Sequence, residues 1–468
     1  MTDKTMSCEP HAPVDASPQV KAEVRRSVLL LAWPAVIEML LQMSVGIADM
    51  VMVGRLGAAA LASVEITNRL INLAIAIFAA ISTGATALVA RHIGADEPGE
   101  ANLIARQSLV LVAILGVLVG LGGVLWAEPL TEFMLIFGEQ SDPEVVVLGG
   151  KYLEIVAYSM PLSMILLVVN GILRGAGDTK TPMWVTGLVN ILNIFGNYLL
   201  IFGKFGFPAL GVAGAAWATA ISRAVGGIIV LVILFRGHNP RLRLSIKDRY
   251  YPDWPVIRRV MRIGVPAAVE QFVLRAGQLL YGMIVAGMGT TVLAAHAIAL
   301  TAESLSFMPG SGFGLAAMTL VGQNLGAEEP KRAEISVAEA GKTAMYSMGI
   351  MGIIFFLWAE PIIKLFTADP AVIPLASLAL RIVAISQPAL AWTMVISGGL
   401  RGAGDTKYVM YIMAAGIWGL RVPLAYFLGS TLGLGLAGAW YAMIVDLFIR
   451  TILFGFRFRH GGWKQLAV

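Results

Sequence analysis

The octapeptide Leu173-Arg174-Gly175-Ala176-Gly177-Asp178-Thr179-Lys180 recurs without change as Leu400-Arg401-Gly402-Ala403-Gly404-Asp405-Thr406-Lys407, 227 positions later. Eight identical residues in a row do not repeat by chance in a chain of 468 residues, so two copies of one unit lie in tandem. Outward from the octapeptide, Ile93-Gly94-Ala95-Asp96-Glu97-Pro98 corresponds to Leu325-Gly326-Ala327-Glu328-Glu329-Pro330. Trp126-Ala127-Glu128-Pro129 returns unchanged as Trp358-Ala359-Glu360-Pro361, again 232 positions on. A small deletion between these markers and the octapeptide accounts for the change of offset.

The material around the repeats is apolar. Hydrophobic residues make up 57% of the chain, charged residues only 13%, and the mean hydropathy is +0.78. A soluble domain is roughly a quarter charged, so this chain has too few charges to cover a water-facing surface. A long soluble enzyme and a disordered protein are excluded on that ground. Cys8 is the single cysteine, which removes a disulfide framework. His11, His92, His238, His296 and His460 are scattered and predict no metal cluster. The net charge of +5 is too small and too dispersed to suggest nucleic acid as a partner. The first two dozen residues are polar and contain proline without the apolar core of a signal peptide, so they read as a disordered cytoplasmic tail.

A helix needs about 20 mostly apolar residues to cross a bilayer. Twelve such stretches follow one another: 27–53, 60–88, 104–127, 147–171, 183–203 and 211–235, then 256–286, 291–320, 335–358, 372–398, 408–428 and 435–456. They are apolar throughout rather than alternating, which disfavours strands. Pro34, Pro266 and Pro388 are candidate kinks. The fold class is thus an all-α integral membrane protein with twelve transmembrane helices in two pseudo-symmetric six-helix bundles. Lys and Arg concentrate in alternate loops, above all Arg236, Arg241, Arg243, Lys247, Arg249, Arg258, Arg259 and Arg262. That bias places both termini on the cytoplasmic side of the cell (inner) membrane. The expected organisation is an N-terminal tail (1–24), an N-terminal bundle (25–236), a cytoplasmic linker loop (237–255), a C-terminal bundle (256–456) and a C-terminal tail (457–468). Six spans per unit give both halves the same orientation, which suits two bundles rocking about a cleft.

An ionisable residue in mid-bilayer costs about 2.5–3.5 kcal/mol on insertion scales, so each needs a partner or a task. Glu38, Gln42 and Asp49 fall within about 40° of one another on the first span and form one polar stripe. No Lys or Arg lies between them. Asn190, Asn193 and Asn197 share one face of the fifth span, as interhelical glue or as ligands. Glu270 is the repeat-mate of Glu38, each four residues after its aligned proline. Carboxylates at equivalent positions would face each other across the cleft and attract organic cations; the alternative is pairing with bases on other helices. Glu65 with Arg69 and Asp446 with Arg450 have the spacing of local pairs, and Arg421 and Arg275 are expected to find Glu303 or other acids. The Arg174–Asp178 and Arg401–Asp405 loops read as cytoplasmic turns that serve folding and topology.

No nucleotide-binding loop is present: Gly341-Lys342-Thr343 comes nearest, but Ser336 stands where a glycine is required. No catalytic signature appears either, so an enzyme is not expected.

The repeated LRGAGDTK segments and the IGADEP-type loops resemble the multidrug and toxic compound extrusion (MATE) family, from about residue 25 to 456. That resemblance implies a cation-coupled antiporter, driven by sodium or protons, that exports bulky, mainly cationic organic compounds and drugs. It needs no cofactor beyond the coupling ion and can work as a monomer among membrane lipids. It also implies a cation site. Asp49, within Ile47-Ala48-Asp49-Met50-Val51-Met52-Val53-Gly54, matches an aspartate that binds the coupling ion. Asn193 and Asn197, just before Phe202-Gly203-Lys204-Phe205-Gly206, match two polar ligands, and Thr219 is the threonine of the sixth span. Such an all-oxygen shell suits a hard cation (Na+ as the metal), and the carboxylate alone can carry a proton. The sodium-driven branch has an acid in its tenth span; none lies in 372–398 here, which favours the N-terminal site. The substrate cleft is expected at Glu38, Gln42 and Glu270. Two rivals stay open: a lipid-linked oligosaccharide or lipid flippase, which would want arginines facing the cleft, and a membrane enzyme or sensor.

Overall fold

A computed structural model describes residues 17–135, 142–237, 240–245 and 247–466. The N-terminal tail expected at 1–24 lies outside the described residues as far as 16. Its last part is helical, because Ser17 caps Val20 and Pro18 occupies the first turn, so α1 (Pro18–Gly54) begins earlier than the apolar run. The chain continues through α2 (Ala58–Gly94), α3 (Pro98–Leu125), the short α4 (Ala127–Leu135), α5 (Pro143–Tyr158), α6 (Met160–Gly175), α7 (Lys180–Phe202) and α8 (Val212–Arg236). The second unit repeats the order as α9 (Trp254–Ala286), α10 (Thr290–Gly326), α11 (Pro330–Leu357), α12 (Ala359–Lys364), α13 (Val372–Ala384) and α14 (Gln387–Gly402). α15 (Thr406–Thr431) and α16 (Gly435–His460) complete it.

Among the described residues, nine of these helices are long and apolar enough to cross a membrane. Two further spans are broken: α5 and α6 meet at 59°, α13 and α14 at 56°. The runs 147–171 and 372–398 are therefore bent pairs rather than single helices. Pro161 and Pro388 open the second member of each pair, where a proline lacks only an N–H that would go unused. Pro34 and Pro266 sit inside continuous helices, as does Pro309. α9 has the length of a span, but its five charged residues, Arg258, Arg259, Arg262, Glu270 and Arg275, hold its hydropathy below the others.

The repeat governs local geometry. Asp96 and Glu328 both take a left-handed backbone, at φ 57° and 59°, to turn α2 into α3 and α10 into α11. Pro98 and Pro330 then begin the following helices. The expected C-terminal tail is also ordered up to residue 466. Trp463 is buried against Phe458, and Arg457 reaches Asp405 at 2.7 Å, because the end of α16 folds back onto the octapeptide loop. Residues 467–468 lie outside the description.

Sequence halves and core halves do not coincide near the linker. Val24, Val28 and Ala32 of α1 pack with Phe313, Val321, Val337 and Val395 of the second unit. Val256, Val260 and Ile263 of α9 pack with the first. α1 and α9 thus cross to the opposite unit at that end. The ends of α2 and α10 are in such close approach that a Cβ on Gly94 would strike the Gln323 carbonyl, and one on Gly326 the Arg91 carbonyl. Backbone-to-backbone contact of this kind demands glycine. Gly94→Ala combined with Gly326→Ala is expected to disfavour this closed end by about 1–3 kcal/mol, a roughly 5- to 150-fold change in population. Spin labels on the exposed Gly99 and Lys331 should then report a longer distance; an unchanged distribution would show that the contact does not hold this end shut.

Candidate functional site

Two kinds of buried polar cluster emerge from the packing, and they differ in whether a base is present. The first is symmetric. Glu38 of α1 is 2% exposed and receives Arg174 Nη2 from the end of α6 at 2.5 Å, with Thr186 Oγ1 of α7 donating at 3.4 Å. Glu270 of α9 is 1% exposed and takes Arg401 Nη2 at 2.5 Å and Nε at 3.3 Å. Of the two readings of Glu38 and Glu270, pairing with a base on another helix holds, and the expectation of carboxylates left unpaired for a substrate is corrected. Each is neutralised inside its own unit by the arginine of its own octapeptide. The physical reason is that α6 and α14 end beside α1 and α9, so the first charged side chain of each turn swings inward to the nearest buried acid instead of outward to headgroups. The Arg174 and Gly175 carbonyls also accept Thr319 Oγ1 and Gln323 Nε2 of α10, both at 3.1 Å, which ties this turn to the other unit. Gln42 is exposed on α1 and joins neither cluster.

The second cluster has no such base. Asn197 Nδ2 donates to Asp49 Oδ1 at 2.5 Å and to Asn193 Oδ1 at 3.1 Å, and Asn193 Nδ2 donates to Thr219 Oγ1 at 3.1 Å. All four expected ligands, from α1, α7 and α8, are thus joined in one chain of hydrogen bonds. Asn190, one turn earlier, spans to the Leu41 carbonyl at 2.6 Å and fastens α7 to α1. Among the described residues no basic nitrogen approaches the Asp49 carboxylate within 4.0 Å; Arg223 of α8 acts on it only from further away. Asn197 Oδ1 is buried with no donor. An amide oxygen without a donor, beside a carboxylate and a hydroxyl, supplies the oxygen ligands that a hard cation takes. Tyr152 of α5, buried, lies within electrostatic reach of Asp49 and Arg223 and was not expected from the sequence, where a lone tyrosine has no distinguishing pattern.

The second unit also builds a cluster with two bases. Asp446 accepts Arg421 Nε at 2.8 Å and Arg450 Nη2 at 2.7 Å. Asp446–Arg450 is the pair its spacing suggests, and Arg421 finds its acid on another helix, taking Asp446 of α16 rather than Glu303 of α10. Glu303 of α10 is buried within reach of the Arg421 charge. Glu65 and Arg69 are both exposed and form no ion pair among the described residues. No group of three or more His, Cys, Asp or Glu able to hold a metal occurs among the described residues.

Comparison with known proteins bears on the family and the fold. The MatE family pattern matches twice, at residues 34–199 and 266–427, one match per repeat. The chain is 36% identical over 446 residues to a probable multidrug resistance protein NorM of Thermotoga maritima, covering 95% of this chain and 94% of that one. It is 30% identical to the multidrug resistance protein PmpM of Pseudomonas aeruginosa, covering 94% and 91%. Among solved structures, an outward-facing multidrug resistance MATE family transporter of the MOP superfamily superposes with a TM-score of 0.87 at 24% identity, over 97% of this chain and all of that one. This multi-pass membrane protein belongs to the MatE family of multidrug and toxic compound extrusion transporters, which are carriers and not enzymes.

Proposed function

We propose that this protein exports bulky, mainly cationic organic compounds across the inner membrane in exchange for an inward-moving Na+ or H+, with Asp49, Asn193, Asn197 and Thr219 as the coupling site. The observation that carries the reading is the Asp49 cluster: a half-buried carboxylate hydrogen-bonded to an amide, beside an orphaned amide oxygen and with no base in contact. A carboxylate left uncompensated by protein is costly unless a cation from solution completes it. The multidrug names of the relatives support the export of drugs. Positive residues at the ends of the spans support cytoplasmic termini and a linker on that side.

The two units supply the movement in this reading. The linker end, closed by Gly94 against Gln323 and Gly326 against Arg91, is the cytoplasmic gate. Cation occupancy of α1, α7 and α8 changes the charge in the first unit, and alternating access follows if that change biases the packing of α1 on the second. A flippase reading loses its main requirement, because Arg174 and Arg401 are spent on Glu38 and Glu270.

Purified protein in proteoliposomes tests this directly. With a sodium gradient or a proton gradient imposed separately, uptake of a fluorescent organic cation should rise several-fold over the no-gradient control for one of the two. Equal, slow equilibration under both would sink the antiport reading.

A further inference from the structure

A cleft of about 670 Å³ opens between α3 and the linker, away from the coupling site. Its polar lining is Asn102 and Arg106 of α3 with Arg243, Ser245, Lys247 and Asp248 of the linker. Three cations face one carboxylate there, and that carboxylate is engaged. Asp248 Oδ2 accepts the Ser245 N–H at 3.0 Å and stands 3.8 Å from Arg106 Nη1. Arg106 Nε is buried with no hydrogen-bond partner, while Arg243 and Lys247 are exposed. The walls are held in place by polar contacts that use no cation. The Arg243 N–H donates to Asn102 Oδ1 at 2.9 Å, and Gln107 receives the Asp253 N–H at 2.9 Å and donates to the Tyr251 carbonyl at 3.0 Å. Among the described residues, Arg243 and Lys247 therefore form no ion pair once the linker has been fastened down, and Arg106 keeps a free Nε.

We propose that this cleft is a binding site for a phosphate-bearing anion, and that in the membrane the headgroup of an anionic phospholipid fills it. A phosphodiester offers several acceptor oxygens and a full negative charge to the Arg243 guanidinium and the Lys247 ammonium, and to the Arg106 Nε that Asp248 does not reach. Exposed aromatic residues beside the site favour a lipid source. Tyr251 and Trp254 follow its last lining residue within six positions and are 81% and 71% exposed, as aromatic side chains at the headgroup zone are. Basic pockets at this depth, between helix ends, suit such headgroups. The occupant would bridge Arg106 of α3 to Arg243 and Lys247 of the linker, and so pin the segment joining the two units to the first of them.

The test uses full-length protein in phosphatidylethanolamine nanodiscs, titrated with short-chain phosphatidylglycerol in one arm and inorganic phosphate in another, with bound ligand counted by native mass spectrometry. Saturable binding of phosphatidylglycerol is expected. Arg243→Ala with Lys247→Ala should weaken it about 10- to 30-fold, and both side chains are exposed, so folding is spared. The charge-matched control Lys180→Ala with Lys331→Ala should bind as the parent does. Phosphate binding alone with the same dependence on Arg243 and Lys247 would keep the site and assign it to the free anion. Absence of saturation by either probe, or equal weakening in the control, would overturn the proposal.

Discussion

Asp49→Asn reduces gradient-driven export to the level of empty vesicles while the protein still folds and inserts. The substitution is isosteric, and an amide at position 49 can still exchange hydrogen bonds with Asn197, whose Nδ2 now lies 2.5 Å from the carboxylate. Helix packing among α1, α7 and α8 is therefore retained, and Asn190 continues to hold the Leu41 carbonyl. What disappears is the one formal charge of the cluster, so neither Na+ nor H+ gains enough from binding to reverse the cost of leaving water. Two measurements decide the matter together: dye export driven by the effective gradient, and the thermal unfolding midpoint. Lost export at an unchanged midpoint is the expected pair of results. Export close to that of the parent would remove Asp49 from coupling.

Breaking either octapeptide ion pair has a comparably large effect, but on stability. Glu38→Gln leaves the Arg174 guanidinium largely buried without its carboxylate, and Arg174→Met leaves the almost fully buried Glu38 without its guanidinium. Removing one member of such a pair costs about 3–5 kcal/mol, whereas replacing both by apolar groups of similar volume is often neutral. Glu38→Leu combined with Arg174→Met should thus recover most of the unfolding midpoint lost by either single change. The same pattern is expected at Glu270 and Arg401, where the contact is bidentate. Single variants as stable as the parent would show that the pairs are incidental. A double variant as unstable as the singles would place the energy elsewhere in the turn. Because Arg174 and Gly175 also accept hydrogen bonds from α10, the singles should slow transport even where enough protein folds to measure it.

The residues of the Asp49 cluster and those of the two ion pairs were not equally legible. Asp49 shares a face with Glu38 on one helix, and Asn193 and Asn197 stand one turn apart on another, so helical periodicity alone draws the two stripes. Resemblance to a family then joined them with Thr219. The same periodicity placed Glu38 and Asp49 in one class, as acids lacking a local base, yet their surroundings are opposite. The partner of Glu38 lies 136 residues away and that of Glu270 lies 131 residues away. Both partners sat in segments that read as surface turns, because a charged residue at the end of an apolar run can point either way. The partner of Arg421 was left open for a related reason: two buried acids, Glu303 and Asp446, lie within its range, and only packing selects Asp446.

Membrane residence, helical content and the twofold repetition are written in runs of apolar residues and in an octapeptide that occurs twice, features carried by neighbours along the chain. Of the two bent spans, only that of α13 and α14 was marked beforehand, by Pro388; the break between α5 and α6 escaped because one residue hardly lowers the mean hydropathy of a stretch. Which charge neutralises which, and the passage of α1 and α9 into each other's units, arise only when helices remote in sequence are laid side by side. A buried carboxylate takes whatever guanidinium the fold brings within reach, and the energy of that choice resides in distances that no one-dimensional pattern contains.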